Sequence, residues 1–83
     1  MRYNSITLHF KDNKGFDSFT ERSYETMKEA SKDMKEFSRD KDFFNTMAEN
    51  VEAYKDCAMI ELWADGELLK DTPTAWFYDE VKA

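Results

Sequence analysis

The sequence predicts an α+β two-layer sandwich: an antiparallel sheet of about ββααββ order, with one or two helices packed on one face. Three observations carry this reading. Apolar and polar residues alternate in "SITLHFK", apolar residues recur at three- and four-residue steps from Met27 to Phe37, and an Asp-Gly pair divides two apolar runs in "CAMIELWADGELLKD". The 83 residues suffice for one domain, so 1–83 is read as a single unit. A chain of this size buries only about 60% of its unfolded surface. Thirteen aromatic residues offset so thin a core.

In the first strand Ile6, Leu8 and Phe10 form the buried face, and Thr7, His9 and Lys11 the other. "DNKG" supplies turn chemistry, and "FDSFTE" returns as the second strand. Two registers are open. A two-residue loop sets Phe19 opposite Leu8, and a three-residue loop with Gly15 at positive φ sets it opposite His9. Met27, Ala30, Met34 and Phe37 then define one face of a helix, with Thr26 and Glu29 as a capping box. A second helical pattern covers about 41–55, where Phe43 or Phe44, Met47, Val51 and Tyr54 share a face.

Asp65 and Gly66 suit a two-residue type I′ turn. Its register pairs Ala64 with Glu67, Trp63 with Leu68, Leu62 with Leu69 and Glu61 with Lys70. Ile60, Leu62 and Leu69 then face the core, and Met59, Trp63 and Leu68 share the opposite, partly exposed face. For "TPTAWFYDEVKA" two structures are open. One is an edge strand over about 75–79, a fifth strand favoured by three consecutive aromatics. The other is a short helix capped by Thr72 with Pro73 at its first position.

The charges divide the chain. Along the first helix Glu25, Glu29, Asp33, Glu36 and Asp40 run beside Lys28, Lys32, Lys35 and Arg39, a self-neutralised solvated face. From Asp40 to Glu67, eight acids face only Lys41 and Lys55, so this third of the chain carries the whole net charge of −6. Such a field repels phosphates, which disfavours direct nucleic-acid binding, and attracts basic surfaces.

Chemical motifs are sparse. "DKDFFN" is not a calcium loop, because Phe44 stands where an acidic ligand is needed and no glycine follows. His9 is the one histidine and reads as a half-exposed strand residue, and Cys57, the one cysteine, lacks a cationic setting apart from Lys55. No catalytic, cofactor or metal residues are assigned, and a non-enzyme is expected. One cysteine, no signal-peptide core behind Met1 and Arg2, and apolar runs of at most four residues lead to the expectation of a cytoplasmic, non-membrane protein.

In size, acidity, lone cysteine and α+β makeup, the whole chain resembles, as a class and without a shared motif, the small proteins phages use against host defences. Anti-CRISPR proteins, some of them nucleic-acid mimics, are among these, and small acidic immunity proteins or antitoxins are similar. The resemblance implies an inhibitor that occupies a basic surface on a nuclease or another nucleic-acid-processing protein. The charged contact is assigned to Asp42, Glu49, Glu52, Asp56 and Glu61, with Trp63 or Trp76 as anchor and Leu68 beside them. The alternative is a structural homodimer through Met59, Trp63, Leu68 and part of the aromatic tail.

Overall fold

A computed structural model describes residues 3–77. The chain runs β1 (Ile6–Asp12), β2 (Ser18–Tyr24), α1 (Met27–Arg39), α2 (Lys41–Ala48), a 3₁₀ turn (Ala53–Asp56), β3 (Cys57–Ala64) and β4 (Glu67–Pro73). The four strands form one antiparallel sheet in the order β2-β1-β3-β4, and the helices cover one face, giving the α+β fold in ββααββ order. β1 and β3 are the two inner strands and both alternate: in β1 Ile6, Leu8 and Phe10 are buried, while Thr7 and His9 are only half-buried. Across the β1–β3 seam Leu8 lies opposite Leu62 and Phe10 opposite Ile60, so the two apolar faces coincide.

Met34 and Phe37 of α1 and Phe44 of α2 are buried against this face. Their rings meet edge to face, with Phe10 5.0 Å from Phe37 and 5.6 Å from Phe44. Thr26 caps α1, its hydroxyl accepting from the Glu29 N–H at 3.2 Å. At the β3–β4 turn both central residues have positive φ, 50° at Asp65 and 83° at Gly66, as a type I′ turn requires.

Four expectations are corrected. In the first hairpin Asp12 and Asp17 close a longer loop, and the Asp12 carboxylate accepts from the N–H groups of Lys14 and Gly15, each at 3.1 Å. Thr20 then pairs with Phe10 and Ser18 with Lys11, which leaves Phe19 as the extra, exposed residue of a bulge, opposite neither Leu8 nor His9. The positive φ falls on Phe16, at 57°, rather than on Gly15.

The second helix stops at Ala48, short of residue 55. Glu49 adopts the left-handed conformation at φ 55°, its N–H reaches the Thr46 carbonyl, and the Asn50 N–H reaches the Asn45 carbonyl at 3.1 Å. This is a Schellman ending, with Glu49 where glycine is usual. Val51 is consequently 85% exposed instead of continuing the apolar face.

In the β3–β4 hairpin the expected register holds for Ala64 with Glu67 and Trp63 with Leu68, then slips at a bulge, so Leu62 faces Lys70 and Glu61 faces Asp71. Leu69 is the extra residue and is 43% exposed, not core.

The tail follows neither reading where it was expected: among its described residues only Phe77 is helical, well past Pro73. Pro73 ends β4 rather than starting a helix, and residues 75 and 76 form a turn rather than an edge strand; 78 and 79 lie outside the described residues. Thr74, buried, donates its N–H to Ala58 O and its hydroxyl to Cys57 O. Ala75 N–H then donates to Ser38 O at 2.7 Å, carrying the chain across to the helix layer. There Trp76 is 2% exposed, its ring against Phe44 and Tyr54 and its indole N–H on the Tyr54 carbonyl at 2.7 Å. Magnitudes decide this. Burying an aromatic of 150–250 Å² is worth about 4–6 kcal/mol at about 25 cal/mol per Å², against strand propensities that span about 1 kcal/mol.

Candidate docking surfaces

The residues assigned to partner contact are not gathered in one place. Asp42, Glu49, Glu52 and Asp56 lie on α2 and the segment through the 3₁₀ turn, in the helix layer. Glu61 and Trp63 alternate with buried Ile60 and Leu62 and therefore lie on the opposite, open face of the sheet, next to exposed Leu68 on β4. Trp76 is in the core, so its reading as a surface anchor is corrected.

The acids also differ in what already holds them. Asp40 caps α2, its carboxylate accepting from the N–H groups of Asp42 and Phe43. Asp65 accepts from the N–H groups of Asn4 and Ser5, tying the start of β1 to the β3–β4 turn. Glu52 pairs with Lys55 at 3.1 Å. Glu61 accepts from the Trp63 indole N–H at 2.9 Å and pairs with Lys11 at 3.5 Å. By contrast, the side chains of Asp42, Glu49, Asp56 and Glu67 are exposed and form no hydrogen bond or ion pair among the described residues. Solvent and partners are free to use them.

The open sheet face is polar and internally linked rather than an apolar patch. His9 lies edge-on to the Trp63 ring, centroids 5.6 Å apart, with Nε2 3.2 Å from the Thr7 hydroxyl and Nδ1 3.5 Å from the Glu21 carboxylate. Trp63 is thus held by His9 on its ring and Glu61 on its N–H, which leaves less of it for a homodimer.

A third surface was not legible in the sequence. The two helices do not cover the β2 edge completely, and a cleft of about 430 Å³ opens between β2 and the C-terminal half of α2. Phe10, Phe37 and Phe44 form its floor, Phe19 and Met47 its walls, and Asp56 its acidic rim, while Glu21 borders it from β2 with its carboxylate turned to His9 on the open face. The Arg22 guanidinium lies over the Phe37 ring, 5.9 Å from its centroid. The cleft opens because the second helix ends at Ala48, after eight residues, instead of running on to about 55 as its apolar pattern suggests.

Cys57 is buried, with its thiol toward the Met59 carbonyl; burial, with the nearby Asp56 charge, pushes its pKa up to about 12. Tyr24 is likewise raised, by burial and by its 2.9 Å hydrogen bond to Asp33. Among the described residues no three His, Cys, Asp or Glu groups converge as a metal site, and every buried side-chain polar atom has a partner. No helix of the described residues is long and apolar enough to cross a membrane. No family model, curated protein or solved structure matches the chain.

Proposed function

We propose that the chain is a non-enzymatic, acidic inhibitor that binds a basic surface of a nucleic-acid-processing protein, in the manner of small phage anti-defence proteins. The observation that supports this most is the set of uncommitted carboxylates. Asp42, Glu49 and Asp56 stand exposed on one stretch of 15 residues, within the segment that carries the full net charge of −6. Asp40, Asp65 and Glu52, by contrast, are already held by backbone N–H groups or by Lys55. Unpaired and exposed, they cost little to leave in water and speed encounter with a cationic surface.

The test is capture from the native host's lysate at low and high salt, followed by binding kinetics on the protein captured. Asp42→Lys with Glu49→Lys is expected to slow association at least tenfold and flatten its salt dependence. Glu52→Lys and Glu61→Gln, whose carboxylates are already engaged, are expected to change it less than threefold. Because a lysine in the first turn of α2 opposes the helix dipole, at up to about 1 kcal/mol, a melting curve accompanies the double variant. Association that is unchanged by the double reversal in a folded protein sinks the proposal.

A further inference from the structure

We propose that β2 is a docking edge: an extended, basic segment of a partner protein adds to the sheet beside β2 as a further strand, with its apolar side chains lowered into the cleft next to it. This deepens the inhibitor reading by naming the partner's binding element, and rests on that reading for the partner's charge.

The two edges of the sheet differ in protection. β4 carries a bulge at Leu69, places Lys70 mid-strand and ends in Pro73, which has no N–H to offer. Bulges, lysines and prolines are the usual means of blocking edge pairing. β2 has its one bulge at Phe19, after which Thr20 to Tyr24 pair regularly with β1 and contain neither lysine nor proline. The outer backbone groups of this stretch are a template for a further strand.

Alternation then dictates what such a strand must carry. Thr20, Arg22 and Tyr24 lie opposite Phe10, Leu8 and Ile6 and so face the helix side, where the cleft opens. Side chains of an added strand on that side meet the Phe10, Phe37 and Phe44 floor, which selects apolar residues. Those on the other side meet Glu21, which lies opposite His9, and they gain from being Lys or Arg. Asp56 adds negative charge on the cleft rim, while Arg22 directs its own charge over Phe37. The pattern is basic-apolar-basic.

A second copy of the chain fits less well. The two symmetric antiparallel registers that use most of Thr20–Tyr24 set either Glu21 opposite Glu21 or Arg22 opposite Arg22. Directly opposed like charges destabilise a strand pair. The favoured occupant is therefore a different, cationic chain.

The experiment uses the full chain and a fluorescein-labelled peptide, Lys-Val-Lys-Phe-Lys-Val-Lys, with Glu-Val-Glu-Phe-Glu-Val-Glu as its charge-reversed counterpart. Fluorescence polarisation is expected to show the lysine peptide binding at least tenfold tighter at low salt, with amide exchange slowed at 20–24 and unchanged on β4. Glu21→Lys should weaken the lysine peptide at least fivefold, and Ala48→Trp, which fills the cleft mouth from α2, should weaken both peptides. Leu69→Thr, on the other edge, should leave binding unchanged. Equal binding of the two peptides, no binding, or protection on β4 instead overturns the proposal. So does protection at 20–24 that rises with protein concentration when no peptide is present, the mark of a second copy. Failure here leaves the inhibitor reading standing if capture still depends on Asp42 and Glu49, and success here with salt-independent capture overturns that reading alone.

Discussion

Trp63 and Trp76 are the chain's two tryptophans, and they occupy opposite sides of the sheet. Trp76 is sealed in the helix layer, with its N–H on a backbone carbonyl and its ring against Phe44 and Tyr54. Trp63 is half-buried on the open face, with its N–H on the Glu61 carboxylate and its ring edge-on to His9. Each satisfies the same indole donor, once with a neutral acceptor inside the core and once with a charged one at the surface. The contrast shows that position near a chain end says little about burial. What matters is whether the backbone can reach a gap in the core that needs a large ring.

The comparison is broken most directly by deleting each ring. Trp76→Ala is expected to cost about 3–5 kcal/mol, most of the stability of a small domain, because it leaves a cavity and strips the Tyr54 carbonyl of its donor. Trp63→Ala should cost less, about 1–2 kcal/mol, since part of its surface is already wet and Glu61 keeps Lys11. Urea unfolding followed by far-UV circular dichroism separates the two; equal costs would mean that the tail is not core.

A smaller effect of opposite sign is expected at the end of α2. Glu49→Gly relieves the left-handed strain at φ 55° and should raise stability by about 1 kcal/mol, read as an upward shift of the urea midpoint. No gain would mean that the Schellman ending is not formed as described. The same change removes a carboxylate assigned to partner contact, so tighter folding should come with slower association.

The smallest effect at neutral pH concerns Cys57. Its folded pKa is raised from 9.0 to about 12, so the folded chain holds the thiol proton where the unfolded chain releases it. Stability from this source is intact below about pH 9 and falls as pH climbs from there toward 12. Cys57→Ala should flatten that alkaline decline, though Tyr24, also raised, preserves part of it. At pH 8 a disulfide reagent should label Cys57 at the rate of unfolding; labelling as fast as a free thiol would show that the β3 start is open.

Where periodicity and turn chemistry were strong, the fold was legible. The Ile6, Leu8, Phe10 face, the Met27 to Phe37 stripe with its Thr26 cap, and the Asp65-Gly66 turn all lie in the structure as read, because each is marked by the spacing or chemistry of residues close in sequence. The bulges at Phe19 and Leu69 were not legible, since one extra residue in a strand leaves almost no mark on a period-two pattern. Nor was the end of α2, where Glu49 takes a conformation that sequence assigns to glycine or asparagine. The candidate site was legible only as charge: that Glu61 is bound up by Lys11, and Asp65 by the N–H groups of Asn4 and Ser5, depends on partners far away in sequence.

By itself, then, the order of residues determined the α+β class, the strand and helix faces and the acidity of residues 40–67, all consequences of local spacing and composition. Only the tertiary structure decided that Trp76 is core, that Glu61 is engaged while Glu49 is free, and that an apolar cleft opens beside an unblocked β2. The reason is physical. These outcomes follow from the way a short second helix leaves one corner of the sheet uncovered while the returning chain fills another, and no local pattern encodes where two such surfaces meet.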